Sequence, residues 1–131
     1  MHRDSGAVTV AADSPFLDET RWINQNDSAV ALRDCFPVSR GHTLIVPRRV
    51  VASLFDLSDE EVLDCWRLLK EEQEHLEAEF SPDGFNVGVN IGEAAGQTVA
   101  HVHIHLIPRY RGDVPSPRGG VRGVIPGKAS Y

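Results

Sequence analysis

Residues 96–108 read Gly96-Gln97-Thr98-Val99-Ala100-His101-Val102-His103-Ile104-His105-Leu106-Ile107-Pro108, three histidines alternating with aliphatics inside a β-branched run. Alternation with a period of two marks a strand with one buried face, because successive side chains point to opposite sides of the backbone. The run therefore predicts a strand over 99–107 that sends Val102, Ile104 and Leu106 into a core. His101, His103 and His105 would then share the other face, with neighbours roughly 6.5–7 Å apart.

Two chemistries use such a row. Imidazole can ligate a metal, with an alternating pair plus a distant third ligand as in some zinc sites, or it can act as nucleophile and proton carrier near neutral pH. Upstream, Phe85-Asn86-Val87-Gly88-Val89-Asn90 predicts an apolar alternating strand over 85–90, and Ile91 to Thr98 continue as a glycine-containing loop. Gly88, Gly92 and Gly96 would let backbone approach a ligand closely, and the amides of such a loop can bind anionic oxygens. A metal site would call for carboxylates or further histidines nearby. Glu93 alone qualifies, whereas Asn90, Gln97 and Thr98 are neutral groups suited to phosphate oxygens or a leaving group.

The remaining pattern places this strand in an antiparallel α+β domain. Ser14-Pro15 reads as a helix start, with serine as N-cap and proline at the first helical position, and predicts a short helix over 16–20. Residues 1–13 before it read as a flexible tail. Apolar runs at 28–36 and 42–46, separated by Pro37-Val38-Ser39-Arg40-Gly41, predict a hairpin. Ser58-Asp59-Glu60-Glu61 is a capping box, and Val62, Trp66, Leu69, Gln73, Leu76 and Phe80 recur at helical spacing, predicting one long helix over 58–80. Strand pairs flanking one helix point to a sheet of about five strands. The domain is expected over 14–110, followed by a Gly-, Pro- and Arg-rich arm over 111–131.

At 131 residues there is room for one core. The net charge of −6, with no long basic stretch, argues against general nucleic-acid binding. No 18-residue apolar span and no leader-like start are present, so a cytoplasmic protein without membrane association is expected. Arg111, Arg118, Arg122 and Lys128 against Asp113 leave the arm at +3 and the rest of the chain at −9. Cys35 and Cys65 are expected to be buried free thiols.

His101-Val102-His103-Ile104-His105-Leu106-Ile107 matches at every position the signature of the histidine-triad (HIT) family, His-φ-His-φ-His-φ-φ with φ apolar. Asp34-Cys35-Phe36-Pro37-Val38-Ser39-Arg40-Gly41-His42-Thr43-Leu44-Ile45-Val46-Pro47 also resembles the family's first conserved block. The likeness runs from about Phe16 to Arg109, and the tail resembles that of bacterial members related to dinucleoside polyphosphate hydrolases. After Val46-Pro47 many relatives have a basic residue and then histidine, whereas Arg48-Arg49-Val50 follows here. Some members carry a structural zinc on a Cys-x-x-Cys pair near the N-terminus; this chain has no such pair, and no zinc is expected.

The resemblance implies a nucleotide hydrolase or transferase that cleaves at the α-phosphate of a nucleoside phosphoester, phosphoramidate or dinucleoside polyphosphate through a nucleotidyl-histidine intermediate. His103 would be the nucleophile. His101 would orient it through its carbonyl and through a contact with His42, the family's fourth histidine, and His105 would donate to the phosphate. Asn90, Gln97 and Thr98 would hold phosphate oxygens or the departing group, Asp34 the ribose hydroxyls, and Leu32 and Cys35 the base. The resemblance also implies a homodimer and no cofactor beyond Mg²⁺ carried by the substrate. A nucleotide-binding regulator without turnover and a metalloprotein using His101, His103 and His105 are the other readings.

Overall fold

The computed structural model describes residues 14–131; the expected tail over 1–13 lies outside them. Among the described residues the chain forms one antiparallel five-stranded sheet and one α-helix. The strands are β1 (Trp22–Gln25), β2 (Ala29–Arg33), β3 (Thr43–Pro47), β4 (Gly84–Val89) and β5 (Ile104–Arg109), and the helix is α1 (Asp59–Phe80). Their order across the sheet is β1-β2-β3-β5-β4, so β5 lies between β3 and β4. Register pairs His105 with Leu44 on one side and with Gly88 on the other.

The unbroken apolar runs of β2 and β3 have a direct cause: both faces of the central sheet are covered. On one face Ala29, Ala31, Ile45, Ile104 and Leu106 pack with Cys65, Leu68, Leu69 and Leu76 beneath α1. On the other, Val30, Leu32, Leu44 and Val46 pack with Phe16 and Val99. Side chains alternate, so placing Ile104 and Leu106 under the helix turns His105 to the second face, beside Leu44. The site is thereby assigned to the face away from α1.

The helix begins as its capping box requires. Glu61 N–H donates to Ser58 Oγ at 3.2 Å and Ser58 N–H to Glu61 Oε1 at 2.9 Å, satisfying donors the first turn leaves free. Its buried face is Cys65, Leu68, Leu69, Glu72 and Leu76, rotated from the expected stripe, and Val62 and Trp66 face outward. The rotation is possible because Glu72, 1% exposed, is satisfied by Asn24 Nδ2 and His75 Nδ1, both at 2.9 Å. A paired carboxylate can occupy a core position that hydrophobicity alone reserves for an apolar side chain.

Three expectations shift. Instead of a helix over 16–20 the chain makes two 3₁₀ turns, Pro15–Leu17 and Glu19–Arg21, because Asp18 caps the second turn by accepting from Thr20 N–H at 3.1 Å. The 28–36 strand ends at Arg33 because Asp34 Oδ1 accepts from Phe36 N–H at 2.8 Å and turns the chain. That turn leaves Cys35 exposed rather than buried, whereas Cys65 is buried and its thiol pushed up to about 11 by desolvation. β1, too polar to announce itself, was the one strand not located from sequence.

The largest correction concerns the histidine run. β5 starts only at Ile104, and residues 101–103 leave the ladder, with Val102 N–H donating instead to Val51 O at 2.8 Å. Of the three imidazoles only that of His105 stands on a strand. The arm over 111–131 is folded locally: a 3₁₀ turn at Gly120–Val124 follows β5, and Arg118 and Arg122 stack on Tyr131 at 5.0 and 4.9 Å. Arg109 is held by Asp113 through two 2.8 Å bonds. Among the described residues no helix is long and apolar enough to cross a membrane.

Candidate active site

The bend at residues 101–103 distributes the triad over three environments. His101 is fully buried, with Nε2 2.6 Å from Pro47 O and Nδ1 2.6 Å from Ser14 Oγ. His103 and His105 line a cleft of about 390 Å³, within the size range of small-molecule sites. Their ring centroids are 5.0 Å apart, nearly edge to face.

Fixed donors and acceptors determine which ring nitrogens carry protons. A carbonyl can only accept, so His101 Nε2 is protonated and its Nδ1 takes the Ser14 hydroxyl proton. His103 Nδ1 lies 3.1 Å from His101 O, which places the proton on Nδ1 and leaves Nε2 with a lone pair. Val38 N–H donates to His42 Nδ1 at 3.1 Å, so His42 carries its proton on Nε2 and donates it to His105 Nδ1 at 2.9 Å. His105 then carries its own proton on Nε2. One cleft thus presents a bare nucleophilic nitrogen and an N–H donor on adjacent rings.

The contact of His42 is therefore with His105, not with His101 as expected. The reason is the bend: His101 turns into the core beside Phe16, and His42, at the start of β3, meets the strand-borne His105 instead. All four imidazoles are held toward the neutral form. Desolvation is the main cause in each, lowering His42, His101 and His103 from the ordinary histidine value and His105 to about 4. Asp34 opposes this at His42, with Oδ2 3.5 Å from His42 Nε2.

Asp34, Cys35, Asn90, Gln97 and Thr98 all line the cleft. Gln97 does so with its amide already engaged: Nε2 donates to Ala52 O and Val99 O, and Oε1 accepts from Gly92 N–H. The side chain pins the 92–97 loop, and its amide donors are turned to main-chain carbonyls, not to the cleft. Leu32 is fully buried behind the wall, and its cross-strand partner Leu44 lines the cleft in its place. Gly96 lines the cleft as well, and Pro15, Phe16, Arg21, Phe36, Val38 and Val99, which the sequence reading did not assign to the site, complete the lining. Phe16 packs 4.7 Å from the His103 ring, a contact across 87 positions that no local pattern encodes.

His101, His103 and His105 do not converge as a ligand set. Asp34, His42 and His105 do bring one ligand atom each within 4.8 Å of one another. Coordination through His42 Nε2 would require moving its proton to Nδ1, against the Val38 N–H that already donates there. The cluster is built around a proton.

The family model of the HIT domain matches residues 18–112, and the chain belongs to the histidine-triad family. Among the curated relatives, a bis(5'-nucleosyl)-tetraphosphatase (asymmetrical) of Schizosaccharomyces pombe is 42% identical over 77 residues, 59% of this chain and 42% of the relative. A bis(5'-adenosyl)-triphosphatase of Dictyostelium discoideum is 42% identical over 83 residues, 63% of this chain and 56% of its own length. The chain thus spans about half the length of these two relatives. Among solved structures, a HIT family protein from Bacillus anthracis superposes with a TM-score of 0.73 at 34% identity, covering 79% of this chain and 78% of that one.

Proposed function

We propose that the protein is a nucleotide hydrolase or transferase, acting at the α-phosphate of a nucleoside phosphoester, phosphoramidate or dinucleoside polyphosphate. The observation that carries this reading is the His103 imidazole. Its Nδ1–H is anchored on the His101 carbonyl, its Nε2 lone pair is free, and it lines a cleft together with a carboxylate and neutral donors. The names of the two relatives, a tetraphosphatase and a triphosphatase of dinucleosides, support the same substrate class.

In the reaction His103 Nε2 forms a bond to the α-phosphorus while the bond to the leaving group breaks and its electron pair departs with that group. Positive charge developing on the ring is met by the His101 carbonyl at Nδ1–H. His105 Nε2–H, with Asn90 and Thr98, donates to phosphate oxygens or to the departing group. Asp34, whose Oδ1 is tied to Phe36 N–H, accepts from the ribose hydroxyls through Oδ2, and Cys35, Leu44 and Phe16 flank the base. Water then attacks phosphorus and loses a proton to solvent as the bond from phosphorus to Nε2 breaks, releasing the nucleotide and returning the electron pair to His103. No step calls for a bound metal, so Mg²⁺ enters only with the substrate.

The active form is inferred to be a homodimer. Val62, Leu63 and Trp66 form an exposed apolar patch on α1, and β4 is an edge strand of the sheet. A cytoplasmic location accords with this substrate class. The reading is tested by chromatographic assay of dinucleoside tri- and tetraphosphates with His103→Ala. Turnover is expected to fall by on the order of 10⁴-fold or more with an unchanged melting curve; activity within about tenfold of wild type would overturn it.

A further inference from the structure

The ring of His101 is a rivet between two distant segments. On one side Nε2–H donates to Pro47 O at the end of β3; on the other Nδ1 meets the hydroxyl of Ser14, in the segment before β1. Ser14 is doubly engaged, since its oxygen also accepts from Phe16 N–H at 3.3 Å and caps the 3₁₀ turn Pro15–Leu17. With its oxygen accepting there, the hydroxyl proton is available to point at His101. The carbonyl of this same residue receives His103 Nδ1–H.

We propose that Ser14 is a positioning residue for the nucleophile: its hydroxyl fixes the His101 ring, and thereby the carbonyl that orients and polarises His103. This rests on the functional reading above and adds to it a residue 87 positions from the triad, in a segment that the family model does not reach. The physical need is specific. Residues 101–103 have left the sheet, so no ladder on either side holds the His101 carbonyl in place, and the fully buried ring is tied at its two nitrogens and by Val102 N–H on Val51 O. Deleting the hydroxyl leaves a buried lone pair without a donor, and the ring must turn to find one. Ser14 does not itself line the cleft, so the effect belongs to the chemical step more than to binding.

The experiment compares Ser14→Ala, Ser14→Thr and Ser14→Asp in the full chain, with kcat and KM for a dinucleoside polyphosphate and nitrogen-15 NMR of the histidine rings. Wild type is expected to show a bare Nδ1 on His101 and a bare Nε2 on His103. Ser14→Ala is expected to lower kcat about tenfold or more while KM moves less than about threefold, because the lost interaction acts in the transition state. Ser14→Thr retains the donor and restores kcat. Ser14→Asp can still cap the turn, but a carboxylate bonds His101 only with a proton on Nδ1, which the nitrogen-15 spectrum reads directly: a bare Nδ1 is expected to go with kcat as low as in Ser14→Ala and a protonated one with recovery, whereas wild-type kcat with a bare Nδ1 would assign the effect to capping and overturn the proposal. Wild-type kcat in Ser14→Ala, or equal losses in all three variants, overturns the proposal. The functional reading itself fails only if His103→Ala keeps its activity, so the two failures are distinguishable.

Discussion

Imidazoles crowded into one cleft cannot all take up protons, and desolvation settles the matter in favour of the neutral forms. For His103 that is the reactive form, because attack on phosphorus needs the Nε2 lone pair. Its lowered pKa shifts the acid limb of kcat/KM below the ordinary histidine value of 6.5. Activity is expected to hold from pH 8 to below pH 6.5 and to fall only as His103 becomes protonated; a limb at or above pH 7 would contradict this. Stability follows the same sign. Unfolded histidines bind protons near pH 6.5 and folded ones only at lower pH, so this contribution is complete above pH 6.5 and is lost as pH falls toward about 4, the value for His105. At this scale the triad and the loop residues Asn90, Gln97 and Thr98 were legible from alternation and residue type, whereas His42 and Asp34 were singled out only through the family resemblance. The engagement of Gln97 with backbone and the pairing of His42 with His105 were not legible, since both depend on where the chain bends.

Elements were legible where local signals agreed. The capping box fixed the start of α1, and the apolar runs located β2 and β3 to within a few residues. β1 was missed because its alternating half-exposed residues resemble a loop, and β5 was drawn too long because periodicity cannot report that Val102 N–H finds Val51 O. Gly41, before β3, shows how one element constrains another. It adopts φ +91°, and a Cβ there would lie 2.8 Å from Leu76 Cδ2 and 3.0 Å from Phe80 Cδ2 on α1. Gly41→Ala therefore meets backbone strain and overpacking together, and is expected to cost about 1–3 kcal/mol. Chemical denaturation checks this; an unchanged midpoint would show that the turn accommodates a side chain.

For the whole molecule, the exposed patch of Val62, Leu63 and Trp66 on α1 is the surface on which the proposed homodimer is tested. Light scattering at micromolar concentration is expected to give twice the subunit mass, with Trp66→Glu shifting it toward the monomer. A single-subunit mass for the wild type would contradict this. Arginines next to the histidine strand would suit phosphates by charge, yet Arg109 at the end of β5 is engaged by Asp113, and Arg118 and Arg122 of the arm stack on Tyr131. Among the described residues none beyond His105 lines the cleft. The central claim is the covalent step at His103, and it is tested most directly by trapping. The protein is mixed with a dinucleoside polyphosphate, denatured in alkali, where a phosphoramidate survives, and digested for mass spectrometry. The account predicts a nucleotidyl adduct on the peptide containing His103, absent in His103→Ala; turnover with no adduct at any quench time, and inversion rather than retention at phosphorus, would contradict it.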